Sequence, residues 1–364
     1  MRERLATLLE ALMLLPGLSG HEDRVRRRLA RELESLGLSH RTDRLGNLIA
    51  TVEGEGPSVM LFAHMDQLGL IVRKIEPDGF LRVERLGGVP ERALLTQEVL
   101  VCLGEGRDRP GVIAMKSHHA TNPEEKFRVA PVAELFIDAG FESAAEARAA
   151  GVEIGAPVVY RPRFERLGAH RVAGTSVDDR AGCAVMVAAA RLLTESGTRP
   201  TVHLVFSVQE EFNLRGALVA AQALRPDVAV QLDLMLATDT PDMAARGEMF
   251  LGGGPGMSLY SFHGRGTLNG TIPHPALVRL FEWTAKSLEM PLQRSAQTGV
   301  LTDNSYVQLV GEGVAAIDLG FPCRYTHGAR EVCDLRDLES LARLLAAGIS
   351  AIGPGFSLDR DALA

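Results

Sequence analysis

The chain has only four cysteines, Cys102, Cys183, Cys323 and Cys333, and no two of them form a C-x-x-C pair. They are too sparse for a disulfide scaffold, so a reducing cytoplasm is the expected home. Nowhere do about 18 apolar residues run uninterrupted, as a membrane span requires. The N-terminus mixes charges from Met1 to Thr7 and meets Pro16-Gly17 before any apolar core long enough for a signal peptide, so neither export nor a membrane partner is expected. Basic blocks are missing as well. The 39 Lys and Arg are spread among 46 Asp and Glu, net charge −7, which argues against nucleic acid as a partner. Repeats and low-complexity segments are absent. What remains is a chain of 364 residues, 46% hydrophobic, enough for two or three domains at roughly 100–200 residues each.

Short apolar runs such as Val59-Met60-Leu61-Phe62-Ala63, Leu204-Val205-Phe206 and Val228-Ala229-Val230-Gln231-Leu232 read as buried strands. Helical patterns lie between them. A first helix stops near Pro16-Gly17, and a second is predicted from Ser19, where Ser19 and Glu22 have capping-box spacing. Others are predicted at about Arg180 to Glu195, Gly216 to Leu224, Pro275 to Leu288 and from Leu335 to about Gly348. Strands at 45–52 and 59–63 are expected to pair across the turn Gly54-Glu55-Gly56-Pro57. From Gln67 to Leu167 the texture changes to short alternating strands broken by Asp78-Gly79, Gly87-Gly88 and Gly104-Glu105-Gly106. The pattern implies an α/β chain whose sheet is closed by two discontinuous halves, 1–66 and 168–364, around an inserted β-domain, 67–167.

Five acidic or histidine positions follow apolar or turn-like segments: His64, Asp178, Glu211, Asp233 and His327. Ligands bind at the carboxyl ends of strands in open α/β sheets, and this set has the chemistry of a two-metal hydrolytic site. His64-Met65-Asp66 leaves a strand as H-x-D, so Asp66 can orient the imidazole. Asp178-Asp179 enters a helix; a dinuclear site needs one carboxylate to bridge its cations, and Asp178 is assigned that bridge, leaving Asp179 to cap the helix. Two adjacent glutamates after a buried strand are costly unless a cation neutralises them. Glu211 is assigned as ligand and Glu210 as general base. Asp233 is preferred over Asp239 as the remaining acidic ligand, because a strand fixes its backbone. His263 and His274 are candidates for lining the substrate cavity, and Gly252-Gly253-Gly254 for letting backbone approach the site.

The segments Ala63-His64-Met65-Asp66, Asp178-Asp179-Arg180-Ala181-Gly182, Gln209-Glu210-Glu211, Asp233 with Asp239-Thr240-Pro241, and Arg324-Tyr325-Thr326-His327 occur in the order of the TET-type dinuclear metalloaminopeptidases, which the chain resembles over nearly its whole length. This cytoplasmic family includes glutamyl and deblocking aminopeptidases, some once mislabelled as cellulases. The resemblance implies an α/β/α catalytic domain with a mixed sheet, a β-barrel-like insert used in dimer contacts, two divalent ions (zinc or cobalt), and a homo-oligomer, often a hollow tetrahedral dodecamer. Its ligands fall on His64, Asp178, Glu211, Asp233 and His327, with Glu210 as base and Asp66 behind His64. Departures from the family pattern occur at Gln67-Leu68, Phe212-Asn213, Gly328-Ala329 and Leu301-Thr302-Asp303-Asn304; the last two bear on the pocket.

Two divalent cations against three carboxylates leave the site about +1, which favours a bridging hydroxide and a developing oxyanion. The reaction so implied is release of N-terminal residues from peptides, with Glu210 moving the proton. The alternatives are hydrolysis of another amide, such as an N-acyl amino acid or a dipeptide, and a non-catalytic metal-stabilised assembly; an intact Glu210 argues against the latter, since holding metal needs no base.

Overall fold

The computed structural model describes residues 1–196, 200–264 and 267–361. Alternation of apolar side chains builds its centre. In Val59–His64, the side chains of Val59, Leu61 and Ala63 join one buried cluster, while Met60 and Phe62 join another on the opposite face, as the two-residue period of a strand requires. Leu48 and Ala50 divide from Ile49 in the same way, and Leu204 and Phe206 from Val205. A sheet buried on both faces needs helices on both. Arg2–Met13, Asp23–Ser35, Val177–Ser196, Pro275–Ser287 and Leu335–Ser350 pack into the first cluster. Gly216–Leu224 and Asn304–Val307 pack into the second.

The sheet is mixed, in the order His40–Thr42, Leu48–Val52, Val202–Ser207, Val59–His64, Val228–Leu236, Ala315–Cys323, Gly256–Phe262, Gly270–Thr271, with Gln293–Thr298 also paired to Gly256–Phe262. The four strands from Val202–Ser207 to Ala315–Cys323 are parallel neighbours. Their carboxyl ends therefore emerge on one side, where a crevice forms. Between Val59–His64 and Val177–Ser196 the chain makes a closed barrel of Gly69–Ile75, Leu81–Leu86, Phe136–Asp138, Arg109–Ile113, Glu98–Val101 and Pro157–Tyr160, filled by its own apolar core. The α/β class, the mixed sheet and the inserted barrel are as the sequence led us to expect. A third, small sheet of Phe164–Leu167, Arg171–Gly174 and Glu331–Asp334 sets Glu331 opposite Gly174.

Several local expectations are corrected. Leu48–Val52 and Val59–His64 do not pair with each other; Val202–Ser207 lies between them, antiparallel to the first and parallel to the second. Ser19 and Glu22 form no capping box. The helix starts at Asp23, the Ser19 hydroxyl donates to Asp66 (2.6 Å), and the Glu22 carboxylate accepts from the N–H groups of Gly20 and Gln209. The strand read from the run Val228 to Leu232 continues to Leu236, because Leu234, Met235 and Leu236 keep pairing with Phe321, Pro322 and Cys323. The Gly252-Gly253-Gly254 segment turns away from the crevice: the N–H groups of Gly252 and Gly254 donate to the two oxygens of Asp337 on the last helix.

Candidate active site

The crevice at the strand ends opens into a cavity of about 530 Å³, lined by His64, Asp178, Glu210, Glu211, Asp233 and His327 at one end and by residues including Leu236, Met243, Arg246, His263 and Leu301 elsewhere. His64 is the last residue of its strand. Gln231 pairs with Phe62, so continuing that register brings Asp233 level with His64. Glu210 and Glu211 come from the turn after Val202–Ser207, and His327 from the turn after Ala315–Cys323. Asp178 comes from the kinked entry to Val177–Ser196, where the backbone of Asp178 and Asp179 departs from helical angles and the peptide between them is cis.

Asp178 sits between the two imidazoles. Its Oδ1 lies 3.0 Å from His64 Nε2, and its Oδ2 lies 3.6 Å from His327 Nε2. Two groups of potential ligands result, His64 with Asp178 and Asp233, and Asp178 with Glu211 and His327; in each, the ligand atoms lie within 4.8 Å of one another. Glu210 Oε2 is 4.0 Å from His64 Nε2, and Glu211 Oε2 is 3.9 Å from His327 Nε2. Glu211 Oε1 is buried without a hydrogen-bond partner. Asp239 is elsewhere: its two oxygens take the Nε and Nη2 of Arg324 at 2.7 and 2.6 Å, and Oδ2 also takes the Leu251 N–H.

Charge at this end of the cavity is lopsided. Burial pushes the Glu210 and Glu211 carboxyls well above their usual range, with neighbouring carboxylates adding to the shift and His64 opposing it. Burial and Asp178 push Asp233 up to about 8. Burial would lower His64, yet its bonds to Asp178 and Asp66 prevail and hold it well above the usual imidazole value. Acids that resist ionising beside an imidazole that resists losing its proton mark a cluster short of positive charge.

Buried carboxylates grip the backbone of the loops that carry these groups. The Asp66 carboxylate is 3.5 Å from His64 Nδ1, whose hydrogen-bonding contact is the Asp66 carbonyl at 3.2 Å. The Asp66 oxygens also accept from the N–H groups of Glu210 (3.0 Å) and Glu211 (3.1 Å) and from the Ser19 hydroxyl. Asp179 Oδ1 accepts from Gly182 N–H and caps the helix. Glu331, unremarked in the sequence, accepts from the N–H groups of Asp178 (3.0 Å) and His327 (2.8 Å). The one visible signal for it is a glutamate opening the apolar run Val332-Cys333. Asp303 was seen only as part of a segment departing from the family pattern; it is buried and accepts from the Ser207 hydroxyl at 3.3 Å. Of the other candidates, His263 lines the cavity, as do Leu301 and Thr302, whereas His274 caps the helix Pro275–Ser287 by accepting from Ala276 N–H. Ser176, Gln209, Asn213, Leu214, Tyr325 and His327 all have φ between +55° and +70°. Such angles cost about 1–3 kcal/mol each and persist where surroundings over-determine them.

A family profile described as M42 glutamyl aminopeptidase matches residues 46–344. The lysyl aminopeptidase of Pyrococcus furiosus is 34% identical, over 95% of this chain and 97% of its own length. Among solved structures, an aminopeptidase from the archaeon Desulfurococcus kamchatkensis superposes with a TM-score of 0.91 at 35% identity, covering 98% of this chain and 97% of that one. The TET1 peptidase of Pyrococcus horikoshii, described as assembling into a tetrahedron or a large octahedral shell, has a TM-score of 0.84 at 29% identity, with coverage of 94% and 98%.

Proposed function

The chain belongs to the M42 aminopeptidase family, and from that premise we propose that it removes N-terminal residues from peptides with two divalent metal ions and Glu210 as general base. The observation that carries the two-ion reading is the position of Asp178, one oxygen beside each imidazole.

The residues fit such ions. The donor set is imidazole and carboxylate, suited to zinc or cobalt; Glu211 Oε1 is buried with no partner; and burial, with neighbouring carboxylates adding to it, pushes the surrounding acids up. His64, Asp178 and Asp233 would hold one ion, and Asp178, Glu211 and His327 the other. Asp239 is left out of this set because its oxygens pair with the Arg324 guanidinium and it neither groups with the imidazoles nor lines the cavity. When bound, the ions acidify water and polarise a peptide carbonyl.

The chain's own groups do the rest. Glu210 is buried on the cavity wall and makes no ion pair with Lys or Arg among the described residues, so its carboxylate is free to take a proton from water and pass it to the leaving amine. Asp66 fixes that carboxylate by holding the Glu210 N–H. Replacing Glu210 by Gln keeps the shape and removes the base. Turnover of a peptide with a free N-terminus should fall by about 10²–10⁴-fold while metal content, measured by elemental analysis, persists; a surviving rate would reject the assignment.

We read residues 1–66 and 168–364 as the catalytic domain and 67–167 as an assembly domain, in a cytoplasmic homo-oligomer. The tetrahedron or octahedral shell described for the Pyrococcus horikoshii relative, and the dodecamer described for another TET1 structure, support the oligomer.

A further inference from the structure

Asp178 and His327 come from segments far apart in sequence, and neither segment is regular where the two side chains approach. Ser176 has φ +61°, Tyr325 +61° and His327 +65°, conformations that L side chains leave readily unless something holds them. The strand Glu331–Asp334 opens on Glu331, which is only 2% exposed. One oxygen of Glu331 accepts from Asp178 N–H at 3.0 Å and the other from His327 N–H at 2.8 Å. A single carboxylate thereby spans the 153 residues that separate it from Asp178 in sequence and sets the spacing between two side chains that both face the cavity.

We propose that Glu331 is a positioning residue for the reaction: its carboxylate fixes the distance between Asp178 and His327 by holding the backbone of both. The inference rests on the two-ion reading of the site and adds a residue outside the ligand set. The chemistry requires a carboxylate. Two N–H donors approach two different oxygens, so a side-chain amide would leave one oxygen for one donor and set an NH₂ group against the other.

The same clamp also occurs remote from the cavity. Asp337, 1% exposed, accepts from Gly252 N–H at 2.7 Å through one oxygen and from Gly254 N–H at 2.8 Å through the other. It joins a glycine turn to the last helix and touches nothing in the site. Asp337→Asn is therefore the matched control for Glu331→Gln, with identical loss of one acceptor and identical introduction of a donor.

The test compares wild type, Glu331→Gln and Asp337→Asn as full chains, by thermal unfolding, by zinc titration of the metal-stripped protein in a calorimeter, and by kcat and KM on a peptide with a free N-terminus. Both variants should lose thermal stability. Glu331→Gln alone should bind zinc about 10–100-fold more weakly, the loss usual for groups that orient ligands, with a fall in kcat exceeding any change in KM. Wild-type zinc affinity and kcat in Glu331→Gln, or losses equal to those of Asp337→Asn, would overturn the proposal. Should Glu331→Gln fail to fold, residue-resolved hydrogen exchange on the wild type decides: the Asp178 and His327 amides should be strongly protected despite their irregular segments, and fast exchange at both would overturn it. A wild type that binds no zinc while those amides are protected would sink the two-ion reading and leave the clamp standing.

Discussion

The candidate carboxylates differ less in type than in what their oxygens face. Asp239 follows a strand and precedes Thr240-Pro241, which made it a candidate ligand in the sequence, yet both its oxygens are committed to Arg324. Asp178, Glu211 and Asp233 instead group with the imidazoles, although the Asp233 oxygens also accept from the Leu234 N–H and the Gln231 side-chain amide. His64, Asp178 and Glu211 were legible because their residue types and neighbours carry the chemistry. Glu331 was not, because its partners are backbone N–H groups, and any residue type supplies those. For Asp239 the pairing makes a prediction with a definite sign. Partial burial pushes its carboxyl up, but the Arg324 guanidinium and the Leu251 N–H prevail and hold it below the ordinary 3.8. A depressed folded value means that the pair stabilises the protein fully above pH 3.8, and that this is lost as pH falls through the lower folded value. Asp239→Asn should lower stability to urea at pH 7 by about 1–2 kcal/mol, the range for charged hydrogen bonds reduced for partial exposure. Near pH 3 the gap between variant and wild type should shrink; an equal gap at both pH values would contradict the assignment.

Among elements, the strands and most helices were legible from apolar periodicity, whereas their neighbours were not. Leu48–Val52 and Val59–His64 are close in sequence and looked like a hairpin, but a sheet buried on both faces draws its neighbours from distant segments, and Val202–Ser207 enters between them. Gln293–Thr298 escaped notice because its outer position leaves it polar, Gln-Arg-Ser-Ala-Gln-Thr, with nothing to alternate. Strand spacing also bears on the site. Gly320 lies opposite Asp233, and a Cβ there would stand 2.0 Å from the Asp233 carbonyl oxygen. Neither backbone can yield without parting the strands. Gly320→Ala should destabilise by about 1–3 kcal/mol, the cost of overpacking, and should reduce turnover because the displaced residue is Asp233. Gly355→Ala, with open space around the added methyl, should change neither melting temperature nor rate. A Gly320→Ala variant as stable and active as Gly355→Ala would show that this contact does not set the spacing.

For the whole molecule, one chain folds around apolar clusters on both faces of the sheet and a separate core inside the barrel. The shift to short alternating strands after Gln67 made the insert visible in sequence, whereas its barrel form was implied only by the family resemblance, because closure depends on pairings such as Gly69–Ile75 with Pro157–Tyr160. The insertion leaves the parallel strand ends free to meet in one crevice, and the chemistry depends on what that crevice holds. The central claim is that peptide hydrolysis requires two ions in it. The most direct measurement strips the protein of metal with a chelator, returns zinc or cobalt in steps, and follows release of the first residue from a peptide with a free N-terminus. We predict no turnover at zero metal and a rate that reaches its plateau at two equivalents per chain. Turnover that survives complete metal removal, or a plateau at one equivalent, would contradict it.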